Sequence, residues 1–327
     1  MKDTVMVTGG SGFLGGHLVN SLLNDGYEVV VFDLSLPRPG SEIDWLWGEK
    51  KAQLKFVRGN ISDITAIYET VKKYNVNRIV HAAVINDLEI LEKRPLYTMK
   101  VNVEGTLNVL EAARLFELSK VVFTSSISVY APRQYVPMDE RHPVHLPDEG
   151  PTLLSYSSSK LSAEAFALHY WSTYGLDIVS LRFSAIYGLG MQYPMYVKPM
   201  VEDAVSGRET YFPGGKEACR DYTYIKDVVQ GIKLALTTET KHRIFNIATG
   251  QPLQTPVDAA RLMQEIVPSS KISIGDETNP VEARTATTRG ILSIDLAVKE
   301  LGYQPRYTLK EGLCEYFEDY RNYQAAK

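Results

Sequence analysis

The sequence predicts an α/β fold, a doubly wound parallel sheet with a smaller C-terminal lobe. Three observations predict it. Short apolar runs alternate with helical patterns through the first half of the chain, the rhythm of a parallel sheet with helices on both faces. Those runs are almost continuously apolar, as strands covered on both sides are. The first of them enters a glycine-rich turn that opens straight into a helix.

The first strand is read over 4–8 and the first helix over 13–24, where Leu14, Leu18 and Leu22 keep one face. Between them Gly10, Gly12 and Gly15 fit G-x-G-x-x-G, while Gly9, Gly12 and Gly15 fit G-x-x-G-x-x-G. Glycine there lets the backbone bend tightly, approach a pyrophosphate and pack helix on strand. A pyrophosphate over Gly12, Phe13 and Leu14 would meet free N–H groups at the positive end of the helix. Glu28 to Asp33 reads as the second strand, ending in an acid about 20 residues beyond the turn. A carboxylate there accepts hydrogen bonds from the adenine ribose of NAD and would repel the 2′-phosphate of NADP. Taken alone, Asp33 could merely end a strand. Strand, turn, helix, strand and acid in one unit favour a Rossmann-type NAD site. Arg38, in the loop that follows, argues the other way.

Further strands are read at 54–57, 78–83, 120–125 and 177–183, with helices near 63–74, 97–116 and 155–173. The order then breaks. Residues 184–222 are rich in Gly, Pro and Tyr around one helical patch near 197–207. A helix from Asp227 to Leu236 and a strand from Arg243 to Ile247 return to the sheet pattern, and shorter elements lead to a helix near 309–322. An NAD-binding domain of 1–183 with 223–248 is therefore expected, with a substrate lobe of 184–222 and 249–327. The stretch from Ala131 to Leu154 is irregular and carries five prolines. Loops of that length are uncommon unless they serve a site.

Bulk properties narrow the class. A chain of 327 residues can bury a sizeable core in two lobes. A net charge of -4 gives no reason to expect nucleic acid as a partner. Cys219 and Cys314 have no metal or redox spacing, so no metal is expected and a reducing compartment is. No signal peptide is read before the first strand, and no apolar run is long enough to span a bilayer. A cytoplasmic enzyme with a small-molecule substrate and no membrane partner fits these facts.

Tyr156 and Lys160 stand at i and i+4 within the helix read over 155–173, so they share a face. Tyrosine, with a pKa of about 10, is a poor base at neutral pH, and a nearby ammonium favours its phenolate. Lys160 is expected to lower Tyr156 in this way and to hold the nicotinamide ribose. Alone, Y-x-x-x-K is common by chance and fits two polar residues on a solvated helix. It does not stand alone. The strand ending in Ser125 and Ser126 puts hydroxyls at its carboxyl end, the edge where doubly wound sheets bind ligands.

With these stretches in place, the chain resembles the extended short-chain dehydrogenase/reductases, in particular the NAD-dependent epimerase/dehydratase branch. The resemblance runs along nearly the whole chain. It rests on Thr8 to Gly15, Gly59 to Asp63, His81 to Ala83, Asn102 to Thr106, Ser125 to Tyr130, Tyr156 with Lys160, Arg182 with Tyr187 and Gly188, and Arg220 to Val228. It implies Tyr156 as acid/base, Lys160 as its partner and ribose ligand, and Ser126 as the residue that takes the substrate hydroxyl. Gly9, Gly12, Phe13, Leu14 and Gly15 would carry the pyrophosphate, with Asp33 on the ribose. Asn60 and Ile61 would flank the adenine, and Ala82 and Ala83 would line the cofactor channel. Arg220 and Arg284 match the two arginines that clamp a nucleotide diphosphate in sugar-nucleotide enzymes, where paired guanidiniums suit phosphate oxygens. Asn86, Ser126 and Tyr156 complete the expected substrate contacts. His81 is expected to be a packed, hydrogen-bonded histidine, and Asn102 a backbone brace.

The departures from the family pattern narrow the chemistry. Sugar-nucleotide 4,6-dehydratases carry an Asp-Glu pair after the catalytic hydroxyl residue, and the decarboxylases a Glu; this chain has Ile127 and Ser128. Reversible hydride transfer remains. One form is epimerisation of a nucleotide sugar through a keto intermediate, as in the 4-epimerases. The other is net dehydrogenation of a smaller polyol, sugar or hydroxy acid. Ala185 and Leu189 stand where the family has an asparagine and a proline, and the lost amide normally contacts the diphosphate. A non-catalytic NAD-binding regulator would need no proton shuttle, so intact Ser126, Tyr156 and Lys160 argue against that class. A homodimer is expected from apolar stripes on the helices near 97–116 and 155–173. These are Val101, Leu107, Leu110 and Leu115 on one, and Leu161, Phe166, Tyr170 and Trp171 on the other. Simple core packing is the alternative for both stripes.

Overall fold

Every apolar run read as a strand pairs in parallel with its neighbours. The computed structural model describes residues 3–144, 154–193, 195–278, 283 and 286–327. In the first half, β1 (Thr4–Thr8), α1 (Phe13–Asn24), β2 (Glu28–Asp33), α2 (Glu42–Trp47), β3 (Lys55–Arg58) and α3 (Ile64–Tyr74) follow one another. Then come β4 (Arg78–His81), α4 (Leu88–Lys93), α5 (Pro95–Met99), α6 (Gly105–Leu115), β5 (Lys120–Ser126), α7 (Leu154–Tyr174) and β6 (Ile178–Phe183). The second half comprises β7 (Ala185–Tyr187), α8 (Val197–Ser206), β8 (Glu209–Gly214), β9 (Tyr222–Tyr224), α9 (Ile225–Thr237) and β10 (Ile244–Ile247). It ends with α10 (Pro256–Ile266), β11 (Lys271–Glu277), α11 (Asp295–Leu301) and α12 (Leu309–Ala325).

The central sheet has seven strands in the order β10-β6-β5-β4-β1-β2-β3. The chain winds outward from β1 in one direction, returns to β4 and winds outward in the other. That reversal opens a crevice at the carboxyl ends of β1 and β4, where such sheets bind ligands. Apolar side chains from the two sheet faces enter two separate cores. Val5, Val7, Val29 and Val31 pack with α1, α9 and the C-terminal elements. Met6, Val30, Ile79 and Val121 pack with α3, α6 and α7 on the opposite face. The smaller sheets, β7 with β9 and β8 with β11, are also parallel. Asp227 at the start of α9 accepts the amides of Arg306 and Tyr307 at 2.9 and 3.1 Å, tying the C-terminal segment to the sheet domain.

Several details differ from the sequence reading. The strand expected over 78–83 stops at His81, because the next amides turn toward β1: Ala83 donates to the Thr8 hydroxyl at 3.3 Å. The helix expected over 97–116 is interrupted by a wide π-helical turn over Lys100–Glu104. Asn102 in that turn reaches back to Ile85, and such turns recur at functional sites. The short helices α2 and α4 were not expected; both begin on a side-chain cap, Ser41 and Asp87. Among the described residues no helix is long and apolar enough to cross a membrane.

The apolar stripes expected to form a dimer face are only partly on the surface. Val101 and Leu110 are buried in the second core, so they belong to the fold. Leu115, Phe166 and Trp171 remain exposed, joined by Phe116, Leu168 and Tyr174.

Candidate active site

One cleft of about 770 Å³ runs along the carboxyl edge of the sheet, and the site is built around it. At one end lies the turn between β1 and α1. Gly9 there has φ +68°, and a Cβ on it would lie 2.7 Å from the backbone of Ala83. A Cβ on Gly15 would lie 2.1 Å from the Gly9 carbonyl oxygen. The turn therefore fits only while these positions lack side chains. Gly12 caps α1 without a side-chain hydrogen bond, which leaves the first helical N–H groups directed at the cleft.

Asp33, at the end of β2, accepts the Ser11 amide at 2.9 Å and the Leu34 amide at 2.7 Å. Partial burial raises its pKa against the pull of these N–H groups. The carboxylate thus links the glycine turn to the second strand. Asn60 and Ile61 line the same end of the cleft, and the Asn60 side-chain oxygen accepts the Ser62 amide at 3.0 Å. Ala82 and Ala83 form the wall where β4 leaves the sheet.

The residues beside this wall are structural, as the sequence reading expects. His81 lies buried between the Thr8 and Thr106 hydroxyls, at 2.7 and 3.0 Å. Burial, then the Lys160 charge, pushes its pKa down to about 3, so it is a neutral packed histidine. Asn102 grips both the amide and the carbonyl of Ile85, at 2.8 and 3.0 Å, and donates to the Ser159 hydroxyl at 3.2 Å.

Further along the cleft, β5 and α7 bring Ser126, Tyr156 and Lys160 together. Lys160 is buried; its Nζ donates to the Thr124 carbonyl at 2.5 Å and lies 4.8 Å from the Phe123 ring centre. It sits 5.7 Å from the centre of the Tyr156 ring. Ser126 is hydrogen-bonded to the Tyr156 phenol, which favours the phenolate. Even so, burial pushes Tyr156 up to about 12 and Lys160 down to about 7. This corrects the expectation that Lys160 holds the phenol below its free value. Protein surrounds both groups and penalises both charged forms, and the lysine proton is directed at a backbone carbonyl.

At the far end, Asn86, Arg220 and Ile186 line the cleft. Asp221 follows Arg220 in sequence, but its buried carboxylate is occupied by the hydroxyls of Ser184, Thr223 and Thr249. Arg284 lies outside the described residues. Arg289 also lines this end and was not expected; a single arginine after two threonines carries no pattern that singles it out. Among the described residues no cluster of three or more His, Cys, Asp or Glu side chains could hold a metal.

A doubly wound parallel sheet, a glycine cradle at its switch point and a Ser-Tyr-Lys group on the same edge define an extended short-chain dehydrogenase/reductase, an NAD-dependent enzyme. Residues 5–248 match the NAD dependent epimerase/dehydratase family, and the chain belongs to it. The human dTDP-D-glucose 4,6-dehydratase is 27% identical over 329 residues, covering 97% of this chain and 89% of its own. The UDP-glucose 4-epimerase of Thermotoga maritima, solved with UDP-glucose, is 26% identical with a TM-score of 0.80, covering 98% of this chain and 99% of its own. The Thermus thermophilus UDP-glucose 4-epimerase, solved with NAD, is 26% identical with a TM-score of 0.78, over 97% of this chain and 99% of its own. The glycine cradle, the uncapped N–H groups and the Asp33 carboxylate fit NAD.

Proposed function

We propose that the protein is an NAD-dependent sugar-nucleotide epimerase working by reversible hydride transfer through a keto intermediate. One observation carries the reading. Ser126, Tyr156 and Lys160 share a cleft with the dinucleotide cradle, while the two positions after Ser126 hold Ile127 and Ser128 and supply no carboxylate for elimination. Bound NAD supplies the hydride acceptor and, once reduced, the hydride donor.

The chain's own groups handle the proton. Ser126 holds the reacting oxygen and polarises it, and Tyr156 exchanges the proton with it. At neutral pH Tyr156 is a phenol, the form that protonates a keto oxygen. Its service as a base is favoured by the Ser126 hydrogen bond. Lys160 anchors the ribose and fixes the cluster through the Thr124 carbonyl. Gly9, Gly12, Phe13, Leu14 and Gly15 carry the pyrophosphate, Asp33 the ribose, Asn60 and Ile61 the adenine, and Ala82 and Ala83 the channel wall. Asn86, Arg220 and Arg284 are assigned to substrate. The lobe that holds it is formed by 184–222 and 249–327, against a cofactor domain of 1–183 and 223–248.

A second reading, net dehydrogenation of a smaller polyol, sugar or hydroxy acid, is favoured by Ala185 in place of the family's diphosphate-contacting asparagine and Leu189 in place of its proline. Absorbance of NADH during turnover separates the two. Epimerisation of UDP-glucose, followed by NMR, proceeds without net NADH; a dehydrogenase accumulates it. The exposed residues Leu115, Phe166 and Trp171 support a two-fold dimer through α6 and α7. Light scattering at micromolar concentration is expected to give twice the chain mass, and a monomer mass overturns the dimer.

A further inference from the structure

The loop that follows β7 is fastened to the cofactor helix by a buried side chain. His17 stands in the second turn of α1 and is buried. Its Nε2 lies 2.8 Å from the carbonyl oxygen of Leu189, 172 residues further along the chain. A carbonyl only accepts, so Nε2 carries the proton and donates. Burial keeps the ring neutral, its pKa drawn down to about 4. The ring also meets Phe13 edge-on, with centres 5.6 Å apart, and Phe13 lines the cleft at the start of α1. His17 itself does not line the cleft.

Leu189 sits between two glycines, Gly188 at φ +148° and Gly190 at φ +84°, backbone that other residues rarely adopt. The Met191 amide closes the turn on the Gly188 carbonyl at 3.2 Å. Met191, Gln192 and Tyr193 then line the cleft. Ile43 of α2 adds a second tie. A Cβ on Gly16 would lie 2.5 Å from its side chain and one on Gly190 3.0 Å, so Ile43 fills the space between α1 and the loop. A turn with two glycines has little stiffness of its own, and its place is set by what grips it. Leu189 is fully buried, so its carbonyl could reach water only if the loop moved.

We propose that His17 is a positioning residue that holds the cleft wall at 189–193 against the cofactor helix, where the substrate meets it. The helix whose first N–H groups face the cleft thereby also sets a wall of the substrate pocket. That the wall meets substrate rests on the proposed assignment of 184–222 to the substrate lobe. The fastening of the loop to α1 does not depend on which substrate it is.

The test follows hydrogen exchange in the NAD-loaded protein and compares the parent with His17→Asn and His17→Gln. The two amides share their chemistry, but only glutamine carries a nitrogen as far out as Nε2. His17→Asn is expected to speed exchange at 189–191 about tenfold, the size of one net hydrogen bond, with α1 and the sheet unchanged. His17→Gln is expected to restore the parent rate. UDP-glucose affinity, measured by calorimetry, is expected to weaken about tenfold in His17→Asn and to recover in His17→Gln, with NAD affinity unchanged in both. A role in general stability would instead loosen α1 and the sheet together with the loop. If His17→Asn does not fold, NMR of the parent protein with 15N-labelled histidine reads the same bond, and the His17 proton is expected on Nε2. No binding of UDP-glucose by the parent protein sinks the sugar-nucleotide reading, and exchange then decides this proposal by itself. Parent-rate exchange in His17→Asn, loosening spread over the whole molecule, a His17→Gln as loose as His17→Asn, or a proton on Nδ1 overturns it. Equal UDP-glucose affinity in the parent and His17→Asn does the same.

Discussion

Glu164 on α7 and Arg182 on β6 form a two-point ion pair, at 2.9 and 2.6 Å, with both side chains buried. The same carboxylate accepts the Ser125 hydroxyl at 2.5 Å, and the Arg182 guanidinium lies 4.7 Å from the Tyr130 ring centre. Glu164 stands one helical turn beyond Lys160, so the pair clamps the helix carrying Tyr156 and Lys160 onto β6, and the Ser125 hydroxyl ties the same carboxylate to β5, the strand carrying Ser126. Removing one partner strands a buried charge. Glu164→Leu is expected to destabilise the protein by about 3–5 kcal/mol in urea denaturation, and the Glu164→Leu, Arg182→Met double variant by less. A double variant worse than either single one would show that the pair stabilises the fold outright.

The glycine turn gives a graded prediction. At Gly15 a Cβ meets a backbone oxygen at 2.1 Å, whereas at Gly12 the same oxygen is 3.3 Å away. Gly15→Ala is therefore expected to lower the melting temperature and abolish NAD binding. Gly12→Ala should keep the fold and weaken NAD, because its methyl intrudes on the pyrophosphate path. Calorimetric titration with NAD alongside thermal melting checks both; equal melting temperatures for the two variants would contradict the packing argument.

The proton-transfer group makes a three-way prediction. Tyr156→Phe should abolish turnover with NAD still bound, because the ring stays and the hydroxyl goes. Lys160→Ala should damage both turnover and NAD affinity. Ser126→Ala should cost on the order of one to three powers of ten in kcat, the usual span for a positioned polarising group. Near-normal activity of Tyr156→Phe on a genuine substrate would remove the catalytic assignment.

Two buried histidines set an acid limit on stability. His81 is lowered to about 3 by burial, then by Lys160. His17 is lowered to about 4, chiefly by burial, and is hydrogen-bonded to the Leu189 carbonyl at 2.8 Å. In the unfolded chain both return to about 6.5. Between these values the unfolded chain binds more protons than the folded one. Stability is therefore complete above pH 6.5 and falls as pH drops below it, by about 1.4 kcal/mol per pH unit for each histidine. Denaturation midpoints at pH 7.5, 6 and 5 should show the decline, and His17→Gln should flatten it. A flat profile for the parent protein would mean that these side chains are solvated.

Much of this was legible in the sequence because it depends on local chemistry. A glycine run between an apolar strand and a helix has few other uses, and an acid about 20 residues on completes the dinucleotide unit. Parallel strands announce themselves as apolar runs, so the order of the sheet's pieces could be read with boundaries off by a residue or two. The i, i+4 spacing alone placed Tyr156 and Lys160 on one face of α7. The sequence could not supply their ionisation: spacing suggests a lysine that acidifies the phenol, while burial acts on both groups and drives Tyr156 upward.

The tertiary structure decided what depends on residues far apart in the chain. Val101 and Leu110 have the same apolar chemistry as Leu115, yet packing against the sheet takes them into the core and leaves Leu115 in solvent. Asp221 follows Arg220 directly, but folding gives its carboxylate to the hydroxyls of Ser184 and Thr249 from two distant segments, beside that of Thr223 two residues on. Arg289 stands 163 residues beyond Ser126 and reaches the cleft because the C-terminal segment folds back over the end of β5. Local pattern fixes which backbone can bend and which face is apolar. Charge, burial and reach are settled only when distant segments exclude water from one another.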